Sequence, residues 1–204
     1  MTTSLSPEHR PQKKHSLESR GVLHTLPTTS SAPPLHLVGP EGQLQVHTAP
    51  YRGSFSVVLS EALRAAGLGR RVMVAQFLRG GVSQGPAGAI HLCGRLEWLR
   101  PSIPCCLVEP ANSNSSKGNK FNSYIQAVQE IWAVCKSRIL DANLDQLVLD
   151  EVGLASALCY LNENDLIKTL EQRPRSMDVI LTGPSMPSRV IAMADQVTEL
   201  RSGN

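Results

Sequence analysis

Aromatic residues make up only 4% of this 204-residue chain, and no apolar run approaches the length needed to cross a membrane. The first shortage argues against a nucleic-acid groove, which interleaves stacking rings with basic residues. The second excludes a membrane-spanning helix, and the N-terminus lacks the apolar stretch of a secretory signal. Cysteine is sparse and unpatterned. Cys93, Cys105, Cys106, Cys135 and Cys159 form no C-x-x-C pair and have no histidine at ligand spacing. They read as reduced, buried thiols in a cytoplasmic protein. On a strand, Cys105 and Cys106 would point to opposite faces, which argues against a shared metal site. An excess of one charge is also missing. The formal net charge is +3, and Arg10, Lys13, Lys14 and Arg20 against Glu8 and Glu18 put +2 of it into residues 1–34. The rest of the chain is nearly neutral.

Residues 1–34 are rich in Ser, Thr, Pro and His without apolar periodicity, and we expect a disordered tail. Their Ser and Arg content also admits a transit peptide, against which stand Glu8, Glu18 and the prolines. Residues 35–204 hold an ordinary share of apolar residues for one domain; the whole chain has 41%.

From residue 43 strands alternate with helices. Leu44–His47 reads as a short strand and Val57–Ala66 as a helix, and the apolar run 71–78 suits a strand buried on both faces. Residues 89–108 stay ambiguous, broken by Gly94, Pro101 and Pro104. A polar loop over 112–119 precedes a helix from about Phe121 to Leu140, whose stripe through Trp132 is core. Leu147–Leu149 is a strand. A helix over 163–172 starts after Asn162, a cap residue, and stops before Pro174. Val179–Leu181 is another strand, 190–194 a short helix and 196–200 a last strand. This alternation predicts a parallel sheet with helices on both faces and ligands at the carboxyl ends of the strands. His47-Thr48, Phe77-Leu78, Asp150-Glu151 and Thr182-Gly183 should converge there.

The segment after the first strand has the layout of a phosphate-binding loop. Strand, tight loop and helix N-terminus aim backbone N–H groups and the helix dipole at an anion. A working loop of this kind ends in Gly-Lys-Ser/Thr, whereas this chain has Gly53-Ser54-Phe55. The lysine position is serine and the magnesium-binding hydroxyl is phenylalanine. Pro50 lacks an N–H, and Ala49 and Tyr51 carry Cβ atoms where a nest of amides needs glycine. Arg52 and Gly53 remain. Ser56 offers a hydroxyl one residue late, about 100° further round the helix.

Two other strand ends carry chemistry. Asp150-Glu151 after an apolar strand suits magnesium; it equally suits a strand exit and helix start. Arg79-Gly80-Gly81 is either a cation at the ligand end or a turn with a solvated arginine. His47, inside a strand, reads as packed, and Trp98 as core or pocket lining. No Ser–His–Asp or Cys–His set assembles.

On these residues the chain resembles the ATP:corrinoid adenosyltransferases that act on cob(I)alamin and cob(I)yrinic acid a,c-diamide. The likeness runs from about Gln43 to Arg201. It is carried by Glu61–Gly67, Gly69-Arg70-Arg71-Val72, Gln76–Gly80, Leu144–Glu151, Glu171-Gln172-Arg173-Pro174, Val179–Gly183 and Ala194–Leu200, in the family's order. The resemblance implies an α/β fold of the P-loop NTPase (RecA-like) kind, a three-layer sandwich around a mostly parallel sheet. It implies ATP with magnesium as ligand, a corrinoid as substrate and a homodimer as assembly. By motif position, Thr48, Arg52, Gly53, Ser54 and Ser56 would hold the triphosphate, Arg79 would take the family's basic position after the second strand, and Asp150 with Glu151 would serve the metal. In such chemistry the reduced cobalt is the nucleophile, and the protein positions ATP and neutralises the leaving triphosphate.

The departures fall on the same places. The family's loop reads roughly Thr-Gly-x-Gly-Lys-Gly-Lys-Thr against Thr48-Ala49-Pro50-Tyr51-Arg52-Gly53-Ser54-Phe55. Pro184-Ser185-Met186-Pro187 stands where the family carries arginine and a polar run. The family's aromatic middle segment is not recognisable in 82–120, nor is its carboxyl-terminal tail, the chain stopping at Asn204. Two readings follow: a divergent adenosyltransferase using Arg52 and Ser56 as partial substitutes, which would bind a nucleotide, or an inactive relative kept as a binding or interaction protein for a partner, a corrinoid or a different anion.

Overall fold

The computed structural model describes residues 41–53, 55–110 and 118–201, the side chains of 118–120 excepted. The expectations for residues 1–34 and for Ser54 lie outside them.

Seven strands form one sheet in the order β3-β4-β2-β5-β6-β1-β7. The strands are β1 (Leu44–Thr48), β2 (Val72–Gln76), β3 (Ile90–Leu92), β4 (Leu96–Leu99), β5 (Gln146–Asp150), β6 (Asp178–Thr182) and β7 (Gln196–Glu199). Every pairing is parallel except that of β3 with β4. The helices are α1 (Ser56–Gly67), α2 (Gly118–Leu140), α3 (Val152–Ala157), α4 (Glu163–Glu171) and α5 (Ser188–Met193).

Side chains alternate across a strand, so a strand buried on both faces feeds two cores. Met73 and Ala75, Leu147 and Leu149, and Val179 and Leu181 enter one core with Val128, Ile131, Trp132 and Cys135 of α2 and with residues of α3, α4 and α5. Their neighbours Val72, Val74, Val148 and Ile180 enter the other, against Val58, Ala62, Ala65 and Ala66 of α1. These four positions recur at i, i+4, i+7 and i+8, one stripe of the helix. Small residues there let α1 lie close over the sheet. The helices thus cover both faces, as expected of a three-layer sandwich.

The chain leaves β1, runs along α1 and re-enters at β2, passing over β6 and β5 in the sheet order. That crossover carries the loop after β1 over the ends of β5 and β6. Register confirms the convergence: His47 pairs with Thr182 and Gln76 with Asp150.

Several expectations need correction. The second strand stops at Gln76, although Phe77 and Leu78 remain buried. Residues 89–108 resolve into the β3–β4 hairpin, antiparallel within an otherwise parallel sheet. Asp150-Glu151 leads directly into a helix, α3, which sequence periodicity did not reveal. Of the five cysteines only Cys135 is buried, and Cys105 and Cys106 sit in a loop after β4, not on a strand. The α4 cap is as expected: the Asn162 side chain accepts from the Asp165 N–H at 3.0 Å. Among the described residues no helix is long and apolar enough to cross a membrane.

Candidate ligand site at the carboxyl ends of the strands

At the ligand end of the sheet, the first side chain beyond the loop is Phe55, and it turns inward. It caps the N-terminus of α1 without any side-chain hydrogen bond and is only 5% exposed. It belongs to the smaller core, with Ala49, Val58, Val148 and Ile180 among its members, and its ring meets His47 edge-on at 6.0 Å. Serine, threonine or aspartate at this position would accept a hydrogen bond from an orphan N–H. Phenylalanine instead adds apolar burial and leaves the α1 terminus without that acceptor. Half-buried His47 is packed, as its place within a strand implied, and burial pulls its pKa below the ordinary value.

Arg52 does not face open solvent or an empty nest. Its Nε and Nη2 donate to Glu151 Oε1 and Oε2 at 2.8 and 2.7 Å, a bidentate pair, and its Nη1 donates to the Leu107 carbonyl at 2.8 Å. The Glu151 side chain is 4% exposed and that of Arg52 30%. A carboxylate this deeply placed needs such a partner, because an unpaired buried charge is costly. The loop cation and the acid expected to serve a metal therefore satisfy each other.

Asp150 is equally engaged. Gln76 Nε2 donates to its Oδ2 at 2.6 Å and Thr182 Oγ1 to its Oδ1 at 2.7 Å. The Glu151 N–H donates to Thr182 Oγ1 at 3.0 Å. Glu151 adopts a left-handed backbone with φ 58°, and Gly183 packs beside it; a Cβ on Gly183 would lie 2.9 Å from Glu151 Cα. All four carboxylate oxygens of Asp150 and Glu151 thus accept from protein donors. Among the described residues no group of three His, Cys, Asp or Glu is placed to hold a metal ion. Magnesium at such a strand end is held by one or two carboxylates with water, and the second lone pair on each oxygen leaves that mode open.

Beside these carboxylates lies a cavity of about 200 Å³, whose walls include Gly53, Ser56, Arg79 and Asp150. Arg79 therefore stands in the site, not in a solvated turn. Trp98 and Arg100 line the same cavity. Gln76 ties them in: its Oε1 accepts from Trp98 Nε1 at 2.9 Å and from Arg100 Nε at 2.7 Å. Thr48 lies elsewhere, in a separate cleft with Pro50 and Leu200. The structure thus brings Gly53, Ser56, Arg79, Asp150 and Glu151 together, sets Arg52 behind Glu151, and leaves Thr48 out. The sequence placed Thr182 among the converging strand ends but did not single out Gln76 or Arg100 as site residues. Gln76 and Thr182 each end a strand, and that position was the available signal.

An open, mainly parallel sheet with a strand–loop–helix unit at its ligand end is a P-loop NTPase-like α/β fold. The family model of ATP:corrinoid adenosyltransferase BtuR/CobO/CobP matches residues 40–203. The corrinoid adenosyltransferase of Escherichia coli (strain K12) is 30% identical over 160 residues, covering 78% of this chain and 76% of the relative. Corrinoid adenosyltransferase CobA of Salmonella typhimurium is 27% identical with the same coverage. The corrinoid adenosyltransferase of Pseudomonas aeruginosa is 25% identical over 78% of this chain and 74% of the relative. The chain belongs to the ATP:corrinoid adenosyltransferase family.

Proposed function

We propose that this chain is a divergent member of the family that has given up MgATP-dependent adenosyl transfer and serves as a ligand-binding protein on the same scaffold. The observation that carries this reading is the loop itself, where Phe55 is buried in the core and Arg52 is spent on Glu151. A triphosphate cradle needs a free cation, a hydroxyl for magnesium and an available carboxylate. Here the loop's own cation, Arg52, is paired with Glu151 and the loop's hydroxyl position is a ring, while Ser56, Arg79 and Asp150 remain at the cavity. Each charge-assisted hydrogen bond lost from the lysine position is worth roughly 1.5–3 kcal/mol, and every 1.4 kcal/mol is about tenfold in affinity. Loss of two such bonds takes a micromolar site to about the millimolar range.

The test is direct. Titration of the purified protein with MgATP should give no micromolar binding, and incubation with reduced corrinoid and MgATP should give no adenosylated product above a blank. Micromolar ATP affinity, or product formation, would refute the reading. The competing reading, a divergent adenosyltransferase using Arg52 and Ser56, is favoured by Ser56 lining the cavity. It requires Arg52 to leave Glu151, so it predicts product formation that R52Q abolishes. Cytoplasmic location and a homodimer accompany either reading, on the strength of the family resemblance.

A further inference from the structure

The cavity at the strand ends contains more cation than its position beside two carboxylates suggests. Glu151 is neutralised by Arg52, which leaves Asp150 as the carboxylate without an ion pair. Against it stand Arg79 and Arg100. Arg79 leans over the loop: its Nη2 lies 3.7 Å from where a Cβ on Gly53 would be. Its Nε is buried and has no hydrogen-bond partner among the described residues. Buried guanidinium N–H groups are rarely left unsatisfied, and a donor in that state calls for an acceptor. Among the described residues Arg100 donates one side-chain hydrogen bond, Nε to Gln76 Oε1 at 2.7 Å, and its guanidinium carbon lies 5.8 Å from the centre of the Trp98 ring. Its terminal nitrogens have no partner among the described residues. The Gln76 bond holds Nε at the cavity and leaves those nitrogens for a ligand.

We propose that Arg79 and Arg100 make this cavity a site for one phosphate group, held from the ends of β2 and β4 and not by the loop after β1. Two planar guanidinium forks match the oxygens of a tetrahedral phosphate. The cavity volume of about 200 Å³ suits a single such group. It falls below the roughly 300 Å³ at which sites for drug-sized ligands begin. Gly53, whose φ of 77° suits glycine, brings the loop backbone against Arg79. The proposal rests on the reading that no triphosphate cradle operates here, and it assigns Arg100 a binding role through its position beside Gln76.

Inorganic phosphate and adenosine monophosphate are the probes, titrated separately by calorimetry into the intact protein at low salt. Binding of phosphate with a dissociation constant near or below about 1 mM, weakened at least tenfold in both R79Q and R100Q, is the expected result. Similar affinity for both probes identifies a free phosphate ion as the ligand. Tighter binding of the monophosphate identifies a phosphate ester. R138Q, which removes an arginine paired with Glu97 elsewhere, should bind as the parent does. Because Arg79 packs over the loop, R100K supplies a second variant that keeps the charge but loses the fork, and its affinity should fall between parent and R100Q. No binding of either probe, or unchanged affinity in R100Q, overturns the proposal. The MgATP titration fails or succeeds independently, so the two readings are separable.

Discussion

Replacing Phe55 by threonine puts the family's residue back at the start of α1 and tests what the ring does. Phe55 is 5% exposed and shares its core with small and β-branched residues, among them Ala49, Val58, Val148 and Ile180. Truncating a buried phenylalanine costs roughly 3–5 kcal/mol, and a site at the rim of a core collapses more readily than one at its centre, so about 3 applies. Threonine keeps part of the volume and supplies the cap oxygen that the α1 terminus lacks. Such a cap returns about 1 kcal/mol. The net expectation is a destabilisation of about 2 kcal/mol. Urea unfolding monitored by far-UV circular dichroism reads it as a lower midpoint at unchanged slope. F55A, which loses the ring without gaining the cap, should fall about 1 kcal/mol further. Should F55T equal or exceed the parent in stability, the ring is not a structural plug and the loop argument fails with it.

Three further outcomes follow from the same geometry. R52Q leaves the Glu151 carboxylate buried without its cation and should cost about 2–3 kcal/mol, less than a fully buried pair because Arg52 is partly exposed, while R52Q/E151Q recovers most of it; denaturation of the four species closes the cycle, and additive losses would contradict pairing. G183A should destabilise by more than about 2 kcal/mol, since φ is 122° and the new Cβ would press on Glu151 Cα; a melting temperature within error of the parent would contradict that contact. His47 has a folded pKa below its ordinary 6.5, so the unfolded chain binds the proton first as pH falls. Its contribution is complete above pH 6.5 and declines as pH drops from there through the folded pKa. H47Q should flatten that slope in a stability–pH series, and an unchanged slope would assign the decline to other groups.

The fold was legible wherever burial imposes a simple pattern. The continuous apolar run at β2 announced a strand covered on both faces, the shorter run at β5 announced a strand, and Asn162 announced the start of α4. It was illegible where segments are short. The six residues of α3 turn less than twice, too few to show a period, and three-residue β3 is read only through its partner β4. At the site, the substitutions in the loop were visible, but their consequence was not. Nothing in the order of residues pairs Arg52 with Glu151, 99 positions apart, or lets one oxygen of Gln76 hold both Trp98 and Arg100. Such links come from parallel register, which sets distant strand ends side by side.

Glu151 occupies a left-handed backbone conformation in which any L-residue with a side chain is uncomfortable by roughly 1–2 kcal/mol, and glycine is at ease. A chain that had merely lost an old metal ligand would be free to drift to glycine here and relax. The bidentate clasp with Arg52 is the contact that stands against this torsional penalty. The two positions are therefore expected to change together in sequence, and E151G in an R52Q background should be better tolerated than E151G alone.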